Sequence, residues 1–287
     1  MNTHAPRIVL TLSCEDRIGI VSNVSRFLSE RFGNIFEAAQ FNDPESNRFF
    51  MRVAFTAEDD DFGLAELKTE FEPIARQFGM DWNMVDAQAR MPTIILVSKL
   101  GHCLHDLLLR WNTGILPIDI RAIVSNHPDY APLAASYGVP FHHVPVTQQG
   151  KADAESELLR VIEQHDAKLV VLARYMQVLS NDLCARLSGR AINIHHSFLP
   201  GFKGAKPYYQ AYVRGVKLIG ATAHYVTGDL DEGPIIEQDV ERVDHAMDPD
   251  ALTQHGRDIE SVVLARAVKW HAEHRVILNG TRTVVFK

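Results

Sequence analysis

From residue 93 to residue 194, short apolar segments alternate with segments of helical periodicity, and this alternation constrains the fold more than any other feature of the sequence. Residues 93–97 and 168–172 read as strands that are buried on both faces of a sheet. Residues 118–124 and 140–146 read as further strands, and residues 152–165 read as a helix. Strands separated by helices in this way predict an open, mostly parallel, doubly wound α/β sheet with helices on both faces.

The last third of the chain departs from this rhythm. Residues 218–227 and 234–240 have the pattern of antiparallel strands. A long helix is predicted from about residue 253 to residue 271, and residues 281–286 form a closing strand. The C-terminal part is therefore expected to add antiparallel strands and one long helix to the sheet.

The first part of the chain has its own order of elements. Residues 7–14 alternate apolar and polar side chains, as a strand does, and a helix follows from about residue 18. The remaining predicted elements are strands at 35–41 and 48–55, a helix at 62–78 and a strand at 80–85. This β-α-β-β-α-β order is typical of a ferredoxin-like unit. Polar residues 86–90 indicate a linker, so we divide the chain into domains at 1–88 and 89–287.

The composition excludes several classes of protein. The chain has 287 residues, 29 basic and 36 acidic, and the net charge of −7 disfavours a nucleic-acid partner. No apolar run approaches the ~20 residues of a membrane helix, and a signal-peptide pattern is lacking. Cys14, Cys103 and Cys184 are too widely spaced for a disulfide framework or a zinc motif. We therefore expect a cytoplasmic protein without membrane or nucleic-acid partners.

A short apolar strand at residues 191–194 ends in polar side chains. Because side chains alternate along an extended chain, Asn193 and His195 lie on one face and can point at the same ligand atom. In open α/β sheets, ligands bind outside the carboxyl ends of the strands, which is where these two residues lie. The alternative interpretation is a polar strand end that caps a neighbouring helix, and this pattern alone does not separate the two.

A second polar cluster lies at residues 222–234, where a strand gives way to a glycine-bracketed loop. The loop contains the carboxylates Asp229, Asp231 and Glu232. Taken alone it indicates a solvated acidic turn, because Asp and Gly are ordinary turn residues. Together with Asn193 and His195 it supplies an amide, an imidazole and a carboxylate, the groups needed to polarise a carbonyl, hold an oxyanion and move protons.

These two clusters carry a family resemblance. Residues 193–200, followed by residues 229–236, resemble the motifs of the 10-formyltetrahydrofolate-dependent formyltransferase superfamily. Further segments are similar to the formyltetrahydrofolate deformylase family: 98–108, 140–143, 175–180, 193–208, 256–260 and 283–286. Residues 16–21 resemble the strand-to-helix turn of an ACT-type domain. The resemblance implies an ACT-type first domain and a formyltransferase-like second domain.

The resemblance also implies an activity, the hydrolysis of 10-formyltetrahydrofolate to tetrahydrofolate and formate, which balances the one-carbon pool that feeds purine synthesis. It gives catalytic roles to Asn193, His195 and Asp231. It places the folate against two stretches of the chain, Tyr175, Met176, Gln177, Val178, Leu179 and Val226, Thr227, Gly228, Asp229. It implies neither a cofactor, since the folate is the substrate, nor a metal, since His142 and His143 have no third ligand at a recognisable spacing.

Formyl transfer to a small amine is the alternative activity. The purine transferases of the superfamily have a glycine-rich phosphate loop, whereas residues 97–103 contain one glycine with bulkier neighbours. The tRNA enzymes have a further nucleic-acid-binding domain, which this acidic chain is expected to lack. Both differences favour water as the nucleophile. A non-catalytic folate or amino-acid sensor is a third alternative, and the intact Asn193, His195 and Asp231 argue against it.

For the first domain the resemblance implies regulation. ACT-type domains often pair side by side and bind a small effector, commonly an amino acid, near the turn that here contains Asp16 and Gly19. We therefore expect a homo-oligomer, a dimer or a tetramer, with an amino-acid effector. The alternative is a domain that serves oligomerisation alone.

Overall fold

The computed structural model describes residues 7–30, 33–57, 63–147, 149–200 and 207–287. The chain divides into two compact units, with the boundary between Ala89 and Arg90. The first unit also contains Glu273–Asn279 and Val284–Lys287, so the prediction that all of 89–287 forms the second domain is wrong for these two segments.

The first unit contains the predicted β-α-β-β-α-β order. Its elements are β1 (Arg7–Glu15), α1 (Ile20–Glu30), β2 (Gly33–Asp43), β3 (Arg48–Ala57), α2 (Leu64–Phe78) and β4 (Asp81–Asp86). The sheet has the order β2-β3-β1-β4, with antiparallel neighbours throughout. This is the ferredoxin-like arrangement that the sequence predicts. Residue 62, the predicted start of the second helix, lies outside the described residues.

Both faces of this sheet are covered. On the helix side, alternate residues of β1, among them Leu10 and Leu12, join the main apolar core of the unit. On the other side, Arg52 of β3 is nearly fully buried, and its guanidinium donates hydrogen bonds to the carbonyl oxygens of Glu273 and His274. This pairing is the physical reason why the segment after residue 272 belongs to the first unit. Sequence patterns do not reveal it, because the partners lie more than two hundred positions apart.

The Phe71 ring lies at the centre of this core, and its removal should destabilise the first unit. Phe71 is 0% exposed, and its ring centroid lies 5.3 Å from that of Phe27 and 4.9 Å from that of Trp82. Phe71→Ala should lower the free energy of unfolding by about 3–5 kcal/mol, measured by urea unfolding with tryptophan fluorescence. Phe71→Leu should lower it by about 1.5 kcal/mol or less. Equal losses in the two variants would contradict a cavity as the cause.

The second unit alternates strands and helices around one sheet. Its elements are β5 (Met91–Val97), α3 (His102–Asn112), β6 (Ile118–Ser125), α4 (Ala131–Ser136), β7 (Phe141–His143), α5 (Lys151–Gln164), β8 (Leu169–Leu172), α6 (Asn181–Arg186), β9 (Ala191–His195), α7 (Pro207–Arg214), β10 (Leu218–Tyr225), β11 (Ile235–Arg242) and α8 (Pro249–Ala272). The sheet order is β11-β10-β9-β8-β5-β6-β7. Strands β5 to β9 pair in parallel, and β9, β10 and β11 pair antiparallel. The predicted open, mostly parallel, doubly wound sheet is therefore confirmed.

Several element bounds differ from the prediction. Strand β7 is shorter than the predicted 140–146, and the long helix α8 begins at Pro249 rather than near residue 253. The short helices α4, α6 and α7 were not predicted, because six to eight residues give too little periodicity to separate from a loop. The closing strand, β13 (Arg282–Val285), pairs with a further strand that was also not predicted, β12 (Val276–Asn279).

The strand order places a ligand crevice in the second unit. The chain leaves the central strand β5 toward β6 and β7, and then returns to the other side of β5 with β8 and β9. The order reverses between β5 and β8, and crevices form at the carboxyl ends of strands at such a switch point. Of the helices in the described residues, none is long and apolar enough to span a membrane.

Candidate active site

A cavity of about 220 Å³ lies beside the carboxyl ends of β8 and β9. The residues predicted to be catalytic or to contact the folate all line it: Asn193, His195, Asp231, Tyr175, Met176, Gln177, Val178, Leu179, Val226, Thr227, Gly228 and Asp229. The other residues of its lining are Leu172, Arg174, Cys184, Ile194, His196, His224 and Leu230. The fold thus brings together side chains from three separate stretches of the sequence.

Strand β9 positions the amide and the imidazole. Its apolar residues are buried in the middle of the sheet, and the two-residue repeat of a strand sends Asn193 and His195 to the same side. In the antiparallel pair with β10, His224 lies opposite Asn193, and Thr222 lies opposite His195. Neighbouring strands therefore bring a second imidazole next to the predicted amide.

His195 is buried and has a partner at each ring nitrogen. Its Nδ1 lies 3.1 Å from Oδ2 of Asp231, and its Nε2 lies 2.9 Å from the hydroxyl oxygen of Ser197. The Ser197 carbonyl accepts a hydrogen bond from the hydroxyl of Thr222, which is itself fully buried. These contacts fix the orientation of the His195 ring. Because both ring nitrogens of His195 have these partners, its side chain does not cap a helix, which was the alternative interpretation.

The backbone of the 229–233 loop explains why Asp231 reaches His195. Asp231 has a φ of +58°, in the left-handed region that Asp and Asn tolerate better than most residues. Two residues later, a Cβ at Gly233 would lie 1.7 Å from the carbonyl oxygen of Tyr225, so only glycine fits there. Asp229 and Glu232 are exposed, as a solvated turn predicts, whereas the side chain of Asp231 is only 17% exposed and bound to imidazole.

The neighbouring imidazoles hold Asp231 in its charged form. Hydrogen bonding to His195 and then to His224 holds the pKa of Asp231 well below its usual range, and these contacts outweigh the opposing effect of burial. The carboxylate is therefore ionised throughout the neutral range. It can orient an imidazole, stabilise an imidazolium or accept a hydrogen bond from water.

This shift makes a prediction about stability and pH. The pKa of Asp231 is lower in the folded state than the unfolded value of about 3.9, so the carboxylate stabilises the fold above pH ~4 and loses that effect as the pH falls toward the folded-state pKa. Asp231→Asn should therefore lower the free energy of unfolding near pH 7. The deficit should shrink as the pH falls below about 4, measured by urea unfolding at a series of pH values. A deficit that stays constant with pH would contradict this assignment.

His224 is a site residue to which the sequence analysis gave no role. Its Nδ1 lies 2.8 Å from the carbonyl oxygen of Tyr225, which only accepts, so Nδ1 carries a proton. Its Nε2 lies 3.3 Å from the amide nitrogen of Asn193 and 3.7 Å from Oδ1 of Asp231. His224 thus lies within reach of both groups, and its Nε2 bonds to one of them at a time: without a proton it accepts from the amide, and with a proton it donates to the carboxylate. The signal that could have revealed it is the pairing of β10 with β9, which a single sequence does not supply.

The stretch 175–179 forms one apolar wall of the cavity. Core packing was the alternative interpretation for Met176, Val178 and Leu179, and it holds only for Leu179, because Met176 and Val178 are each 57% exposed. The backbone N–H of Met176 donates to the hydroxyl of Ser98, which follows β5. Burial raises the pKa of Tyr175 to about 12, so its hydroxyl keeps its proton. An exposed apolar wall of this kind suits a flat aromatic ligand.

Two groups of side chains contain metal-binding atom types. His102, Cys103 and Glu260 place one such atom each within 4.8 Å of one another. However, Arg174 lies 3.4 Å from the Glu260 carboxylate, so a metal ion there would be repelled by the positive charge of the guanidinium. Burial also raises the pKa of the Cys103 thiol, so the sulfur keeps its proton and is a poor metal ligand. The second group contains His142, whose Nε2 lies 3.3 Å from Nε2 of His165. The group of His102, Cys103 and Glu260 therefore does not suit a metal ion.

The predicted effector residues lie in the first unit, at the turn between β1 and α1. Gly19 has a φ of +100°, which strongly favours glycine. The carboxylate of Asp16 accepts a hydrogen bond from the side chain of Asn42. The turn therefore has a defined backbone geometry, and its role as an effector site stays a prediction.

An open α/β sheet that presents an amide, an imidazole and a carboxylate beside an apolar cavity defines an enzyme that acts on a carbonyl group. The family model described as formyl transferase matches residues 91–268, which include every element of this site. The chain therefore belongs to the formyl transferase family.

Relatives that are similar to this chain over almost its whole length belong to one branch of that family, the formyltetrahydrofolate deformylases. Formyltetrahydrofolate deformylase from Corynebacterium sp. strain P-1 is 50% identical, with 98% of each chain covered. The crystal structure of the Burkholderia mallei deformylase has 58% identity and a TM-score of 0.95, and covers 98% of this chain and 100% of that one. The crystal structure of the Pseudomonas syringae deformylase has 46% identity and a TM-score of 0.96, and covers 100% of this chain and 96% of that one. The chain is thus a member of the deformylase branch over its whole length.

Proposed function

We propose that the chain hydrolyses 10-formyltetrahydrofolate to tetrahydrofolate and formate. The observation that carries the proposal is the contact between His195 and Asp231, next to Asn193, at the end of a cavity with an apolar wall. Relatives that carry the name formyltetrahydrofolate deformylase, 50% identical over the whole chain, support the same reaction. The reaction removes a one-carbon unit from the folate pool, and we place it in the cytoplasm, where it balances the supply for purine synthesis.

The side chains suggest how the formamide bond is cleaved. The formyl oxygen lies at Asn193, whose amide N–H donates to it as negative charge develops, and protonated His195 adds a second donor. The ionised Asp231 holds His195 and orients the attacking water. The water oxygen bonds to the formyl carbon and gives up a proton to Asp231 or His195. The bond from that carbon to the folate nitrogen breaks, and the same pair of side chains passes the proton on to this nitrogen. The products are tetrahydrofolate and formate.

The cavity residues suggest how the folate is held. The pterin lies between the 175–179 wall and the 226–229 loop, where backbone groups bind its amide-like edge. Met176 and Val178 supply exposed apolar contacts, and the buried hydroxyl of Tyr175 supplies a donor. Water, the folate and these side chains account for the whole reaction, so the proposed mechanism uses no cofactor, no metal and no nucleic acid.

One assay separates the proposed reaction from its rivals. Purified protein is incubated with 10-formyltetrahydrofolate in the absence of any amine, and both formate and tetrahydrofolate are measured. Hydrolysis predicts equal amounts of the two products at a rate far above the enzyme-free control. A formyltransferase would release formate only slowly and would require an added amine. A folate sensor would bind the substrate without any turnover, and either result would overturn the proposal.

For the first unit we propose an ACT-type regulatory domain. Its antiparallel sheet order, β2-β3-β1-β4, and the glycine-requiring turn at Gly19 support this assignment. The proposed effector is an amino acid that binds near Asp16, and the proposed assembly is a homo-oligomer. Titration of the protein with individual amino acids, with formate release and sedimentation velocity as readouts, tests both. An oligomer whose activity responds to none of them would support a domain that serves assembly alone.

A further inference from the structure

A buried group of polar side chains lies next to the catalytic histidine and has no part in the mechanism above. We propose that His196, held in place by this group, is the partition that closes the acceptor side of the active site and restricts the nucleophile to water. The inference deepens the proposed hydrolysis and rests on it. It identifies a specificity-determining residue rather than a catalytic one.

The partition lies between two cavities. His196 lines the cavity that contains Asn193 and His195. It also lines a smaller cavity of about 40 Å³, together with Ser197, Phe198 and Tyr208. The His196 ring stacks on His195, with ring centroids 4.8 Å apart and planes at 23°. Removal of the imidazole would therefore join the two cavities directly beside the catalytic ring.

A network of hydrogen bonds fixes the position of His196. Arg174 donates from Nη1 to Nδ1 of His196 over 2.8 Å, and its Nε lies 3.4 Å from the carboxylate of Glu260. The same carboxylate is 2.7 Å from His102 and accepts a 2.7 Å hydrogen bond from the hydroxyl of Tyr208. These five residues, which we call the Glu260 cluster, come from five different stretches of the second unit. Only Arg174 and His196 line the catalytic cavity, so the other three form the support behind them.

The cluster has little freedom to rearrange. The Glu260 side chain is 2% exposed, and a buried carboxylate costs several kcal/mol unless it is paired. Burial alone would raise the pKa of Glu260, but His102, Arg174 and Tyr208 together hold it below the usual range. Tyr208 packs directly on Gly256, where a Cβ would lie 2.0 Å from the ring. Loss of Arg174 would leave the buried Glu260 carboxylate without its cationic partner, which favours the closed arrangement.

The position of the proton on the His196 ring, and the neutral charge of that ring, are also consistent with a role as a partition. A guanidinium only donates, so Nδ1 of His196 accepts and the ring proton lies on Nε2. Burial and the charge of Arg174 lower the pKa of His196 to about 4, and the ring is neutral at physiological pH. Within the described part of the chain, its Nε2–H is buried without an acceptor, which is unfavourable for the folded state. The hydrogen bond from Arg174 and the stack on His195 nevertheless hold the ring in place.

The consequence concerns the nucleophile. With the folate in the large cavity, an amine acceptor needs room next to the formyl carbon. There His196 and Arg174 form the wall of the cavity next to His195, and the rest of the Glu260 cluster holds them in place. Water needs one heavy-atom position. Its oxygen bonds to the formyl carbon as the bond from that carbon to the folate nitrogen breaks, and the folate nitrogen takes a proton. An amine admitted there would attack the same carbon and give a formylated amine and tetrahydrofolate instead of formate.

The test is a competition between water and glycinamide, a small primary amine. Protein is incubated with 10-formyltetrahydrofolate and increasing glycinamide, and formate and N-formylglycinamide are measured. Wild type should give formate alone. His196→Ala should raise the ratio of N-formylglycinamide to formate by about 10- to 100-fold. His196→Gln, which fills more of the same space, and Tyr208→Phe, which keeps the ring of the supporting residue, should stay close to wild type.

The outcomes are distinguishable from failure of the proposed function. If wild type releases no formate, the hydrolysis itself is wrong. If wild type hydrolyses the folate but also formylates glycinamide, the partition proposal is overturned without any variant. A folded His196→Ala protein that releases formate and forms no formylated amine also overturns it. If His196→Ala does not fold, Tyr208→Leu, which trims the support behind the partition, gives the same comparison against Tyr208→Phe.

Discussion

Asp231→Asn should lower kcat for formate release by about 10³-fold and leave the affinity for the folate within a few-fold of wild type. The carboxylate lies 3.1 Å from Nδ1 of His195, so its charge stabilises a protonated imidazole and fixes the ring. Asn has the same shape and also tolerates the φ of +58° at this position. The substitution therefore removes the charge and leaves the backbone as it is.

The measurement separates chemistry from binding. Formate release gives kcat and KM, and the affinity for tetrahydrofolate is measured by titration calorimetry. Glu232→Gln is the matched control, since this exposed carboxylate lies in the same loop one position away and does not line the cavity. It should change kcat by less than about threefold, as most surface substitutions have small effects. An Asp231→Asn protein within tenfold of wild type would contradict the assignment of Asp231, because general acid–base catalysis contributes about 10²–10⁴-fold.

Local patterns predicted those parts of the site that depend on one strand or one loop. Asn193 and His195 share a face because every extended chain alternates, whatever it pairs with. The position of this pair at the carboxyl end of a strand follows from the α/β rhythm. The loop with Asp231 is a turn rich in Asp and Gly, which the sequence shows directly. No local pattern predicted the contact between Asp231 and His195. Only the family resemblance assigned these two residues to the same site.

The parts that depend on pairing between distant segments were not predicted. His224 becomes a site residue because β10 lies antiparallel to β9, with His224 opposite Asn193. Glu260 lies 158 positions from His102, and neither residue has a local pattern that indicates a buried carboxylate. The same limit explains the segment Glu273–Asn279, which joins the first unit through Arg52. Long-range hydrogen bonds of this kind leave no periodicity in the sequence.

Asn193→Ala should lower kcat by about 10²–10³-fold, the usual loss when one donor to a developing oxyanion is removed. The amide nitrogen of Asn193 lies 3.3 Å from Nε2 of His224, so the neighbouring imidazole holds it in position before the substrate binds. The loss should fall on kcat more than on KM, because the formyl oxygen becomes a strong acceptor only as the carbon is attacked. Steady-state formate release measures both constants. A change confined to KM would instead indicate a residue that binds the ground state of the folate.

The double variant Asn193→Ala with Asp231→Asn tests whether the two side chains act on one transition state. If they act as a unit, the loss in the double variant should be much smaller than the product of the single losses, because each single change already prevents the concerted step. If the losses multiply, Asn193 and Asp231 act independently. In that case Asp231 does not act through the His195 ring, which lies beside Asn193. The register that puts Asn193 and His195 on one face, with Asp231 in contact with that imidazole, favours the first outcome.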